Sequence, residues 1–126
     1  MRLLNNFFYI EHYTESDASF YYVIRFDSNH IIYKAHFPEK PITPGVCILQ
    51  IARELLEKYL QCSLYLKKAQ NVKYLAVLSP NENIKVSFIF SKLVKDKNEC
   101  KVHVVIKNDE RCSFAKLSLT YSYERI

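Results

Sequence analysis

The chain has 126 residues and a mass of 14.9 kDa, with a formal net charge of +5, 49% hydrophobic and 25% charged residues. That is one domain's worth of sequence with enough apolar side chains for a core, which excludes a disordered chain and a dependence on disulfides or metal for folding. No apolar run approaches the roughly 18–20 residues of a membrane span. The opening Met1-Arg-Leu-Leu-Asn-Asn-Phe-Phe8 lacks the layout of a secretion signal. A single soluble domain over residues 1–126, cytoplasmic and without a membrane partner, is the expectation.

In chain order, Phe7–Tyr13 reads as a possible strand, Phe20–Phe26 as a clear one rich in aromatic and β-branched residues, and His30–Lys34 as another beyond the turn residues Asp27-Ser-Asn29. From Val46 the apolar period becomes helical and runs through Gln61. Thr43 is placed as N-cap and Pro44 at the first helical position, where its missing N–H costs nothing. Strands follow over residues 69–78, 84–90, 100–106 and 112–123, the last pair joined by a turn at Asn108-Asp-Glu-Arg111. An α+β fold, an antiparallel sheet around one long buried helix, satisfies this order.

Cys47, Cys62, Cys100 and Cys112 show neither zinc-knuckle nor redox-dithiol spacing, so four reduced thiols, mostly packed inside, are expected. His12, His30, His36 and His103 are as scattered, and no metal site is predicted. The excess of Lys and Arg carries no helix-turn-helix, zinc-finger or aromatic RNA-binding signature, so nucleic acid is not an expected partner. An acidic protein partner suits the charge better.

The strongest backbone punctuation falls in ten residues. The only glycine, Gly45, follows Pro38, Pro41 and Pro44. His36-Phe-Pro-Glu-Lys-Pro-Ile-Thr-Pro-Gly-Val46 resembles the active-site motif of the FabZ/FabA-type 3-hydroxyacyl-[acyl-carrier-protein] dehydratases, which reads His-Phe-Pro, two variable residues, Pro, two variable residues, Pro-Gly-Val. All seven fixed positions are filled at the family spacing. Asn71–Glu82 and Asn108–Ala115 resemble later strands of the same family. The resemblance implies the hotdog fold and a dimer with two sites at its interface.

It also implies a chemistry. Elimination of water from a 3-hydroxyacyl thioester needs a base, a polarised carbonyl and a proton for the departing hydroxyl. His36 would be the base. The N–H groups of Gly45 and Val46, at the helix start, would receive the thioester oxygen. Phe37, Pro44 and Leu49 would border the substrate, with the acyl tunnel along residues 72–78. No metal, flavin or nucleotide cofactor is called for, and phosphopantetheine arrives with acyl carrier protein as part of the substrate.

One departure bears on that chemistry. The family's acid lies fourteen residues after the histidine, where this chain has Gln50. An amide hydrogen-bonds but delivers no proton. The family's glutamine four residues further on is here Glu54, so the two residue types have traded places. Glu54 is one turn along the same helix face, either a displaced acid or a structural group paired with Lys58 or bonded to a backbone group across the interface. Glu57 and Arg53 are expected on a more exposed face. Milder departures are Ala35 before the histidine and Asn81-Glu82 in a turn. Three readings follow: a dehydratase forming the trans-2-enoyl thioester, an impaired subunit paired with a second hotdog chain that brings the acid, and, less favoured, a thioesterase or acyl-thioester binder.

Overall fold

The computed structural model describes residues 2–35, 39–109 and 112–125. Six strands, β1 (Phe8–Glu15), β2 (Ser19–Phe26), β3 (Tyr65–Tyr74), β4 (Lys85–Lys95), β5 (Glu99–Lys107) and β6 (Ser113–Ser122), accompany the helices α1 (Ile31–Ala35) and α2 (Gly45–Leu60). The strands form one antiparallel sheet in the order β1-β2-β4-β5-β6-β3, with β1 and β3 at its edges. Period-2 patterning sets its face. Phe20, Tyr22, Ile24 and Phe26 alternate inward on β2, Val86, Phe88 and Phe90 on β4, and Val102, Val104 and Ile106 on β5.

The sixteen-residue α2 lays Ile48, Ile51, Ala52, Leu55 and Leu56 into that same core. Burying one such side chain stabilises by about 1.5–3 kcal/mol, so this contact dominates the packing between helix and sheet. Toward the C-terminal end of α2, Tyr59 stacks on Phe20 at 3.7 Å and Phe20 on Phe90 at 4.8 Å. The helix stops because Gln61 turns into the left-handed region at φ 58°, its N–H returning to the carbonyl of Glu57.

The element order follows the sequence reading, with three corrections. The strand expected at His30–Lys34 is the short helix α1. His30 N–H donates to the Asp27 carbonyl, and His30 Nδ1 accepts the N–H of Ile32 at 3.0 Å. These local bonds start a helical turn that the β-prone Ile-Ile-Tyr run does not override. Pro44, not Thr43, is the N-cap of α2, with no side-chain cap bond. The Thr43 hydroxyl is taken by Tyr33 instead. Strand β3 lies earlier than expected, and beyond Tyr74 the chain leaves the ladder, Leu75 and Ala76 both donating to the Phe114 carbonyl.

All four cysteines are free thiols, with Cys47 and Cys100 buried but Cys62 and Cys112 exposed, so only half of them are packed inside. Among the described residues no helix is long and apolar enough to cross a membrane, and no group of three or more His, Cys, Asp or Glu side chains could hold a metal ion.

Candidate active site

His36, Phe37 and Pro38 lie outside the described residues, but what flanks them is well defined. On one side, α1 buries Tyr33, whose ring stacks on Phe7 at 4.9 Å. On the other, Thr43 is buried, and its hydroxyl and the Tyr33 phenol are 2.8 Å apart. Thr43 N–H donates to the Leu78 carbonyl at 2.8 Å, fastening the same point to the sheet side. The described residues on either side of the histidine-bearing segment are therefore each tied to the fold. Burial pushes the Tyr33 phenol well above its ordinary range, which keeps its proton in place near neutral pH. Neither Tyr33 nor Thr43 was a candidate from sequence, because no spacing rule marks a tyrosine and threonine ten residues apart.

Pro44 is extended at φ −63°, ψ 144°, and its carbonyl accepts the first helical bonds from Cys47 and Ile48. The N–H groups of Gly45 and Val46 precede those bonds, as the first turn of any helix requires, and face outward with the positive end of the helix dipole. The Val46 side chain is 72% exposed, while Leu49 is half-buried against the core. Gly45 permits a close approach. The group that approaches is Tyr74: a Cβ added at Gly45 would stand 2.7 Å from the Tyr74 ring. The Tyr74 hydroxyl donates to the Gly45 carbonyl at 2.9 Å.

Gln50 and Glu54 are in direct contact, Gln50 Nε2 donating to Glu54 Oε2 at 2.7 Å. Glu54 is buried, and the N-terminal segment supplies its other donors. Leu3 N–H lies 3.0 and 2.8 Å from the two carboxylate oxygens, and Leu4 N–H lies 2.8 Å from Oε1. Arg2 adds a charged neighbour at 3.7 Å. A carboxylate offers about four acceptor positions, and three N–H donors are directed at this one, the Leu3 N–H being shared between its two oxygens. Of the structural roles open to Glu54, the backbone bond is the one present, made within the chain and not to Lys58. Glu57 departs from expectation: its side chain is only 10% exposed, accepts the Leu64 N–H at 2.8 Å and sits between Arg2 and Arg53. It closes the turn after α2 from inside.

The family model of the ApeI-like dehydratases, described as ApeI dehydratase, matches residues 12–116. The chain belongs to this family. No curated protein sequence matches it. Among solved structures it is similar to the dehydratase heterocomplex ApeI:P of Xenorhabdus doucetiae, with 13% identity over 90% of this chain and 96% of that one at a TM-score of 0.63. It is also similar to a hypothetical thioesterase of Streptococcus pneumoniae with coenzyme A, at 12% identity, 93% and 85% coverage and a TM-score of 0.65. A mutant thioesterase of Pseudomonas aeruginosa shares 16% identity over 91% and 79% of the two chains at a TM-score of 0.64. At these identities the likeness shows the hotdog fold common to thioesterases and dehydratases. The matched span contains the whole His36–Val46 segment and both helix positions.

Proposed function

We propose that this ApeI-like chain is one subunit of a dehydratase that removes water from carrier-protein-bound 3-hydroxyacyl thioesters, with the acid supplied by a second hotdog chain. His36 takes the proton from the carbon beside the thioester carbonyl, and Gly45 and Val46 N–H groups bind the oxygen as enolate charge develops. The bond to the 3-hydroxyl then breaks, the oxygen leaves as water with a proton from the partner's carboxylic acid, and the trans-2-enoyl thioester remains. The observation that carries the reading is the Gln50–Glu54 bond: the acid position holds an amide, and the carboxylate one turn away is buried and engaged by the N–H groups of Leu3, Leu4 and Gln50. The solved relative described as a dehydratase heterocomplex supports a two-chain arrangement. The net charge of +5 suits an acidic acyl carrier protein.

The test is turnover of a 3-hydroxyacyl-pantetheine thioester by the chain alone, by Gln50→Glu/Glu54→Gln and by His36→Ala in that double background. Exchanging both residues keeps an amide–carboxylate bond between the two positions, whereas Gln50→Glu alone would set two carboxylates against each other. The double variant is expected to form enoyl product about 10²–10⁴-fold faster than the parent, the usual worth of a general acid, and His36→Ala to abolish the gain. A parent as fast as the double variant would overturn the need for a second chain. The likeness to thioesterases gives a second reading, and release of free thiol without enoyl absorbance in the same assay would establish it.

A further inference from the structure

Tyr74 is the last residue of β3, and a bulge decides which face of the sheet it joins. Between Gln70 and Lys73 the strand holds one residue more than β6 does between Ser118 and Lys116, and Asn71 there takes the left-handed region at φ 49°. Residues of a strand alternate faces, so without the extra residue Tyr74 would share the outer face with Gln70. With it, Tyr74 pairs with the buried Ala115 and joins the face turned toward the core. From there its ring closes on Gly45, and its hydroxyl donates to the Gly45 carbonyl at 2.9 Å.

That carbonyl belongs to the peptide group whose other end is the Val46 N–H. In a regular helix it accepts the N–H of residue 49, and the Tyr74 hydroxyl takes the second lone pair. A bond accepted by the oxygen draws electron density from the amide nitrogen, so the N–H at the other end becomes a stronger donor. This is the polarisation that runs along chains of hydrogen bonds. The Gly45 N–H belongs to the peptide group of Pro44 and gains nothing by this route. As a first-turn N–H, that of Val46 has no acceptor within the helix, and its added strength goes to whatever oxygen it meets outside.

We propose that Tyr74 is a positioning residue for the elimination: its hydroxyl, acting through the Gly45 carbonyl, strengthens the Val46 N–H as a donor to the thioester oxygen. The ring keeps the start of α2 in place beneath it. The inference rests on the dehydratase reading above for the substrate, but not for the polarisation of the peptide.

Tyr74→Phe keeps the ring and removes only the hydroxyl. In nitrogen-15 spectra of the ligand-free chain, the Val46 amide nitrogen is expected to move upfield of wild type while that of Gly45 stays nearly in place. A hydroxyl that merely held the fold would shift both alike. The second readout is turnover in the Gln50→Glu/Glu54→Gln background. An oxyanion donor is worth about 10²–10³ in kcat, and a gain of about 10–30% in its strength is about 2- to 8-fold. Tyr74→Phe is expected to lower kcat by that factor at unchanged KM, the pattern of an interaction made only in the transition state. A Val46 nitrogen that stays at its wild-type position, or a kcat that the substitution leaves unchanged, overturns the proposal. A Gln50→Glu/Glu54→Gln chain that forms no enoyl product fails the dehydratase reading instead, and the Val46 shift still decides whether Tyr74 polarises that peptide.

Discussion

Gly45 shows how one residue serves two neighbours. Its N–H is in the outward-facing first turn of α2, while its missing side chain leaves room for the Tyr74 ring. A methyl at 2.7 Å cannot be absorbed without moving the ring, so Gly45→Ala is expected to cost about 1–3 kcal/mol, the usual range for overpacking. In a Tyr74→Ala background the same change should be neutral or stabilising, because alanine is the better helix residue. A double-mutant cycle in urea checks this, and additive losses would mean that Tyr74 is not the constraint. The glycine stands out in the sequence, but its neighbour lies 29 residues along the chain and only folding discloses it. Glu54 is similar. Its exchange with Gln50 is visible in the sequence, whereas the Leu3 and Leu4 amides that fill it come from the far end of the chain.

Among the elements, α1 and the turn into α2 meet in a buried pair of hydroxyls, Tyr33 and Thr43. Replacing Tyr33 by Phe keeps the stack on Phe7 but leaves the buried Thr43 hydroxyl without that partner. A loss of about 1–3 kcal/mol is expected, the cost of an unsatisfied buried polar group. Thr43→Val added to Tyr33→Phe should cost less than the sum of the two, since both remove one bond. Equilibrium unfolding of the four species measures this coupling, and strict additivity would show the pair to be independent. The helix α1 reads as a strand in sequence: five residues rich in isoleucine favour a strand by propensity, and the local bonds from Asp27 and His30 that decide otherwise have no spacing rule to announce them.

For the whole molecule, raised phenols bear on the alkaline limit of stability. Tyr13, although exposed, is pushed up to about 12 by desolvation and then by its bond to Glu15. Burial also raises Tyr33 and Tyr121. A phenol raised in the folded state is held in its protonated form, so its contribution is complete below the ordinary value of about 10 and is lost as pH rises through the folded value. Stability should hold to about pH 10 and fall above it, with absorbance near 295 nm showing tyrosine ionisation accompanying unfolding. Tyr13→Phe/Tyr33→Phe should flatten that limb, and an unchanged slope would remove these residues as its cause. At the acid end, bonds from Tyr13 and Tyr59 lower Glu15 and backbone amides lower Asp96. Their contributions are present above the ordinary carboxylate range and are lost as pH falls through the lowered values.

The sequence by itself determined the α+β class and most of the span of α2, because period and local spacing are properties of the chain alone. The tertiary structure decided what bonds to Glu54, what Gly45 makes room for, how Tyr33 meets Thr43, and that β3 ends the sheet. Each of these depends on groups far apart in sequence meeting in space, where hydrogen-bond satisfaction and close packing, rather than local propensity, set the outcome.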